Sequence, residues 1–306
     1  MKAITYTSYG TPTSLALVEV PEPKVGPGEV LIRVKAAGVN PVDWKLAAGF
    51  LGHVLEVRHP VIPGWDVAGV VEAVGPDTDD YAVGDEVYGY VRKEWVQLGT
   101  YAELVSAPVR TLARKPRTLT FEEAAGLPLA GLTSYQAVTR AGVTAGQTVV
   151  IHSAAGGVGS LGVQVAVSLG ARVIGTAGAH HHDYLRTLGA EPVLYGDGVD
   201  ERIRALAPEG VDVGLDFYGE GGVELLQSVV RAGGPVISVA DNDAGAKGAR
   251  HIWARASSAD LTALAELADS GRLTVKVGHV LPLADAATAW ELSAAGRTKG
   301  KIVLTV

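Results

Sequence analysis

The chain has 306 residues, 47% of them hydrophobic, which is length enough for two ordinary domains and apolar enough to fill two cores, so wholesale disorder is excluded. Its 26 basic and 33 acidic residues leave a net charge of −7, which suits a soluble protein and argues against nucleic acid as the main partner. Cysteine is absent, and with it disulfides, thiolate catalysis and every cysteine-ligated metal.

Met1-Lys2-Ala3-Ile4-Thr5-Tyr6 starts directly on a predicted strand. It has no targeting h-region, and no apolar stretch reaches the roughly 20 residues that span a bilayer, so a cytoplasmic enzyme is the expectation. Over the first third, Val30 to Ala36 alternates apolar and polar residues, Val67 to Val74 reads as a buried strand, and Val83 to Gly89 reads as a turn and strand. Short strands punctuated by Gly and Pro predict a compact β-rich domain.

Near residue 118 the rhythm changes. Thr120 and Glu123 have the spacing of a capping box. Strands then alternate with helices: Thr148 to His152, Arg172 to Thr176, Pro192 to Tyr195, Val211 to Asp216 and Gly234 to Val239, with helical stretches between. That alternation predicts an α/β, doubly wound parallel sheet with helices on both faces. The tail carries an amphipathic helix over Leu261 to Ala268, a second over about Ala284 to Ala295, and a last strand over Lys301 to Val306. It is too short for its own core and is expected to return to the first domain. The expected organisation is 1–118, 119–256, and 257–306 completing the first part.

Ile151-His152-Ser153-Ala154-Ala155-Gly156-Gly157-Val158-Gly159 is the segment richest in chemistry. A β-branched strand precedes it and helically spaced apolar residues follow, up to Gly170. Between a strand and a helix, glycines let the backbone approach a pyrophosphate, and the freed N–H groups with the helix dipole hold its charge. The usual first glycine is Ala154, so the flanking context is what supports the assignment. Rossmann sites for NAD place an acid about 20 residues past the glycines to grip the ribose 2′-OH. Here that count ends on Thr176-Ala177-Gly178, without an acid, and Arg172, His180 and His181 add positive charge. NADPH is the cofactor expected over NADH.

The blocks Gly38 to Lys45, Pro63 to Val71, Val83 to Gly89, Gly99 to Glu103, Leu129 to Tyr135, Ala154 to Gly159 and Gly300 to Leu304 run in order over nearly the whole chain. They resemble the zinc-independent quinone oxidoreductase (zeta-crystallin-like) branch of the medium-chain dehydrogenase/reductase superfamily. The resemblance implies a GroES-like catalytic domain, a Rossmann domain and NADPH. Where zinc-dependent relatives supply cysteine, histidine and cysteine, this chain has Asn40, Trp65 and Ala130. The consecutive His180, His181 and His182 cannot readily converge on one ion, and no metal site is expected.

The resemblance also assigns Thr133 to the nicotinamide, Ala155, Gly156, Gly157 and Val158 to the pyrophosphate, and Tyr195 to the adenosine end. It adds Ser238, Val239 and Ala240 to the carboxamide, Lys299 to a phosphate, and Asn40 to the cofactor, while Thr176, His180 and His181 are candidates from their position after the second strand of the sheet. Relatives often carry serine with lysine or arginine where Gly178 and the histidines stand. Asn40 and Lys45 are the catalytic candidates, in a loop where some relatives have tyrosine in place of Lys45. Asp43 and Asp66 are read as structural carboxylates taking N–H bonds in turns, and Trp44 and Phe50 as pocket aromatics. Asp183 is read as a helix cap.

Without a Lewis acid, alcohol oxidation is disfavoured, whereas hydride delivery to a quinone or α,β-unsaturated carbonyl remains feasible. Two alternatives stay open: an enoyl-type reductase with a specific proton donor, and an NADPH-binding accessory protein with little turnover. The alternation of His251 to Ala256 predicts an edge strand through which two copies would pair as a homodimer.

Overall fold

A computed structural model describes residues 1–10, 14–296 and 298–306. The chain divides into two compact units, Met1–Leu129 with Ala256–Asp269 and Val275–Val306, and Ala130–Arg255 with Ser270–Thr274. The first division falls at 129/130 rather than 118/119. Thr120 accepts from the Glu123 amide at 3.2 Å and Glu123 from the Thr120 amide at 2.9 Å, which starts the helix Phe121–Ala125. That helix packs on the strands Glu29–Val39 and Asp66–Val74, and so belongs to their unit.

The first unit is built on one sheet in the order Val277–Pro282, Lys301–Thr305, Glu29–Val39, Asp66–Val74, Glu86–Tyr90, Leu112–Arg114, with Leu104–Pro108 also paired to Glu29–Val39. The C-terminal return therefore lies inside the sheet: Lys301–Thr305 pairs antiparallel with Glu29–Val39 and parallel with Val277–Pro282, a strand the sequence reading did not anticipate. Its core is aromatic. Tyr6, Tyr88, Tyr101 and Trp290 are all fully buried, and the Tyr88 hydroxyl donates to the Leu261 carbonyl at 2.6 Å.

The second unit is a six-stranded, all-parallel sheet. Its spatial order is Ala190–Leu194, Arg172–Ala177, Thr148–His152, Val213–Asp216, Val236–Ser238, Arg250–His251. Numbered within the unit this is 3-2-1-4-5-6, the order of a dinucleotide-binding sheet, with its switch point beside the first strand. Val150, Ile174, Val193, Ile203, Val211, Val223 and Leu226 form a buried cluster between sheet and helices, where each full side chain contributes about 1.5–3 kcal/mol. The predicted edge strand is much shorter than its alternation suggested. Only Arg250 and His251 pair, with Ile237 and Ser238, because the chain leaves the sheet after the Ile252 amide bonds the Ser238 carbonyl at 3.0 Å.

Candidate active site

At the carboxyl ends of the parallel strands, the turn after Thr148–His152 brings Ser153 to a φ of 62° and leads into the helix Gly159–Ser168. A β-carbon on Gly159 would lie 2.2 Å from the Ser153 carbonyl oxygen, so this glycine is what lets helix and strand approach. Ala154 replaces the usual first glycine because its methyl has a seat: a β-carbon on Gly175, in the neighbouring strand, would fall 2.8 Å from it. Gly156 differs from both. Its β-carbon would meet only Ser153 atoms at 3.4 Å, and the residue is exposed. Among the described residues, none accepts a backbone bond from the amides of Ala155, Gly157 or Val158. A row of amides at the start of a ten-residue helix fits a pyrophosphate.

Other cofactor candidates lie on the same rim in differing states. Thr176 is buried, and its hydroxyl is taken by His152 Nδ1 at 2.8 Å and the Ser153 amide at 3.1 Å, so it braces the turn instead of facing outward. Burial holds the His152 imidazole below its ordinary pKa, and Tyr218 packs edge-on against it. Ser238 is fully buried with its hydroxyl on Asp216 at 2.6 Å, while Asp216 also accepts from the amides of Tyr218 and Gly219. The Val239 amide goes to the Asp216 carbonyl and the Ala240 amide to the Ser238 hydroxyl. Any contact from these two residues to a carboxamide would therefore be made by carbonyls.

Tyr195 and His180 are exposed, and His181 is half-buried. Thr133 sits inside the helix Pro128–Arg140, well past its start. Arg172 does not belong here. It opens its strand, at the opposite end of the sheet, and its guanidinium is held by Glu191 at 2.6 and 2.9 Å. Asp183 is no cap either: it lies in the first turn of His182–Thr187, paired with Arg186 at 2.7 Å.

The first unit holds the catalytic candidates. Asn40 caps the helix Pro41–Ala47, with proline favourable at the first helical position, so both Asn40 and Lys45 follow the strand Glu29–Val39. Asn40 is buried. Its Nδ2 donates to Asp66 at 2.8 Å, its backbone amide donates to Asp43 at 2.9 Å, and its Oδ1 accepts from the ammonium of Lys301. Lys301 also donates to the Val39 carbonyl at 3.1 Å. Asp43 accepts from the Tyr101 hydroxyl at 2.8 Å, and Asp66 from the Leu129 amide at 2.9 Å. Asp43 and Asp66 thus belong to one buried network; Asp43 accepts a local amide at the start of its helix, whereas Asp66 opens the strand Asp66–Val74 and is not in a turn. Burial pushes both carboxyls up and the Lys301 ammonium down.

Lys45 stands apart from this network, exposed, with its ammonium 5.5 Å over the Trp44 ring. Phe50 is exposed, whereas Trp65 is buried edge-on to Tyr90. Lys299 is exposed in this unit, just before Lys301–Thr305. Sequence reading missed Lys301 and Trp290, and in the other unit Arg202, whose guanidinium donates to the carbonyls of Leu194 and Gly196 at either side of Tyr195.

Residues 26–117 match the Alcohol dehydrogenase GroES-like domain family and residues 188–304 the Zinc-binding dehydrogenase family. The solved structure of the quinone oxidoreductase from Coxiella burnetii is 32% identical with a TM-score of 0.88, over 100% of this chain and 99% of that one. The chain belongs to the quinone oxidoreductase branch of the medium-chain dehydrogenase/reductase superfamily. It is also similar to the 2-methylene-furan-3-one reductase of Solanum lycopersicum, 37% identical over 78% of this chain and 61% of that protein. With the chloroplastic NADPH-dependent alkenal/one oxidoreductase of Arabidopsis thaliana it is 36% identical over 78% of this chain and 62% of the relative. The chain thus spans about three-fifths of the length of these two curated relatives. Among the described residues no helix is long and apolar enough to cross a membrane.

Proposed function

We propose that this medium-chain reductase transfers hydride from NADPH to a quinone or α,β-unsaturated carbonyl without zinc. The observation that carries the reading is the Lys301 ammonium on Asn40 Oδ1. The family name of the C-terminal match implies zinc, and the residues do not fit it. The side-chain oxygen that Asn40 could offer a metal already faces a buried cation, and Trp65 and Ala130, at the other two ligand positions, offer no donor suited to zinc. With no ion to polarise an unactivated carbonyl, the acceptor must be electron-poor in its own right.

NADPH supplies the hydride. The amides of Ala155, Gly157 and Val158 would hold its pyrophosphate, His180, His181 and Tyr195 its adenosine end, and the carbonyls of Val239 and Ala240 its carboxamide. Thr133 is assigned to the nicotinamide by the resemblance, Asn40 to the cofactor and Lys299 to a phosphate. Asn40 is a carboxamide and cannot give up a proton at working pH, so it orients while water supplies the proton to a reduced alkene. The names of the tomato and Arabidopsis relatives support the enone side of this reading, and that of the Coxiella structure the quinone side. We also assign the protein to a homodimer across the edge strand Arg250–His251, whose outer side pairs with no strand among the described residues.

NADPH consumption against a panel of quinones, enones and enoyl thioesters tests the assignment. Turnover on the first two classes, unaffected by chelator and without stoichiometric zinc in elemental analysis, is the expected result. Bound NADPH with no turnover on any acceptor would replace it with the accessory role.

A further inference from the structure

We propose that Lys301 and Asp66 are positioning residues for the reaction: they clamp the Asn40 carboxamide from its two ends, so that its remaining N–H is offered to the oxygen of the acceptor. The inference rests on the reductase reading above and deepens it. It begins with the sheet. Ile302 pairs with Val39 in antiparallel register, which brings Lys301 level with Asn40 although 261 positions separate them. Gly300 permits that approach: its φ is 109°, and a β-carbon on it would lie 2.4 Å from the Lys276 carbonyl oxygen.

A carboxamide can be turned over, exchanging oxygen and nitrogen, but here the neighbours decide which end is which. Lys301 is 7% exposed and gives one hydrogen to the Val39 carbonyl at 3.1 Å and another to Asn40 Oδ1. Asp66 and Asp43 favour its charged form against burial, and an ammonium can only donate. Asp66 takes the Leu129 amide on Oδ1 at 2.9 Å and Asn40 Nδ2 on Oδ2 at 2.8 Å, and a carboxylate can only accept. Turning the amide over would set its N–H groups against the ammonium and its oxygen against the carboxylate. One N–H of Nδ2 is thereby used. The other meets no acceptor among the described residues, although Asn40 is only 3% exposed. Buried N–H groups are almost always paired, so the partner of this one comes from outside the chain.

The acceptor's oxygen has the chemistry of that partner. When hydride forms its C–H bond at the β-carbon of an enone, the C=C pair shifts and the carbonyl oxygen takes the charge as an enolate. Water then protonates the α-carbon, the oxygen regains its double bond, and the hydroxide left is neutralised by solvent. On a quinone the added charge likewise gathers on oxygen. An N–H already fixed in place strengthens as that charge arrives and needs no reorganisation. The Lys301 ammonium draws electron density through Oδ1, which makes the same N–H a better donor.

The clamp can be read without turnover. The chain has only two asparagines, Asn40 and the exposed Asn242, so 15N-labelled asparagine gives two side-chain amide signals, which Asn242→Ser assigns. The unmodified chain is compared with Lys301→Met, Lys301→Gln and Asp66→Asn. Lys301→Gln keeps an N–H for Asn40 Oδ1, and Lys301→Met does not. Asp66→Asn leaves one oxygen for two donors, the Leu129 amide and Asn40 Nδ2, and it removes a buried charge instead of stranding one. Should Lys301→Met fail to fold, Asp66→Asn carries the same comparison.

We expect the two Asn40 hydrogens to be sharply inequivalent in the unmodified chain and in Lys301→Gln, and averaged by rotation in the other two variants. Single-turnover hydride transfer, to whichever quinone or enone the unmodified chain reduces, should fall about 10–100-fold in Lys301→Met and Asp66→Asn, the order expected for a misplaced oxyanion donor. Lys301→Gln should recover most of the rate, with the KM for the acceptor and the affinity for 5′-ADP unchanged throughout. Asn40 signals that stay as they are in Lys301→Met and Asp66→Asn overturn the inference, and so does a loss that appears in KM or in 5′-ADP affinity instead of the hydride step; the reductase reading survives both. No turnover of any quinone or enone by the unmodified chain overturns the two together.

Discussion

The buried cluster around Asn40 and the open rim around Gly156 both collect polar groups, yet they resolve them in opposite ways. In the cluster Asn40, Asp43, Asp66, Tyr101 and Lys301 satisfy one another in a buried setting, so each side chain is locked by the rest. On the rim Thr176, Asp216 and Ser238 are equally locked, but they serve to hold out a layer of amides, rings and carbonyls that the chain leaves for something else. A substitution in the cluster should therefore be felt as stability and one in the outer layer of the rim as affinity.

The sharpest separation is expected between two glycines three residues apart. Gly156→Val should weaken NADPH binding by 100-fold or more, since a branched side chain occupies the pyrophosphate's approach. Its melting temperature should stay near that of the unmodified chain, because the β-carbon meets nothing closer than 3.4 Å. Gly159→Ala should do the reverse and lower the melting temperature strongly, with its β-carbon 2.2 Å from the Ser153 oxygen. Fluorescence titration and thermal melts read both. A folded Gly156→Val protein that binds NADPH normally would sink the loop assignment.

Next in size is Lys301→Met. Removing the ammonium leaves Asp43 and Asp66 without their buried cation, and breaking such a charge cluster costs about 3–5 kcal/mol. Chemical denaturation should show the loss, and adding Asp66→Asn should recover part of it. A single variant as stable as the parent would mean that the cluster is more hydrated than its burial indicates.

Legibility followed the same divide. The glycine turn could be read because its signals are local: a β-branched run, small residues, then helical spacing, all within Val149 to Leu169. Lys301 could not, because its partner Asn40 is 261 positions away and a lysine before Ile-Val-Leu reads as a solvated strand end until that strand is found inside the sheet. The one available hint was that the strand around it is apolar on both faces, where a charge must be paired. Arg202 was hidden for a different reason, since it binds main-chain carbonyls, which leave no mark in a sequence. The short edge strand misled because alternation in His251 to Ala256 records side-chain types and not whether a neighbouring strand exists to pair with.

A smaller effect is expected from pH. Burial raises Asp43 to about 7 and Asp66 to about 6, from ordinary values of 3.8. A carboxyl with a raised folded-state pKa binds its proton more tightly when folded. Its stabilising contribution is complete below pH 3.8 and is lost as pH rises through the folded value. The first unit should therefore unfold a few degrees lower at pH 8 than at pH 5.5. Asp43→Asn, which keeps an oxygen for the Tyr101 hydroxyl, should flatten that difference. Melting curves of the two proteins at both pH values decide it, and equal slopes would remove Asp43 as the titrating group.

The smallest and most local effect is expected at the sheet edge, where the rim unit is open in a second sense. Arg250–His251 exposes one side of a strand, and unpaired edges invite a partner copy. With only two residues paired to the sheet, the edge alone offers few hydrogen bonds, so association must also use flanking surface, including Trp253, which is 39% exposed. Light scattering should report about twice 31.6 kDa at micromolar concentration. Proline at Trp253 removes one N–H and the indole together, and it should shift the protein toward monomer without altering 5′-ADP affinity, since the amides of Ala155, Gly157 and Val158 lie on another strand's turn. A monodisperse monomer for the unmodified chain would show that a two-residue edge is short enough to guard itself, and would leave the cofactor rim, with the glycine turn at its centre, as the surface of this unit proposed to meet another molecule.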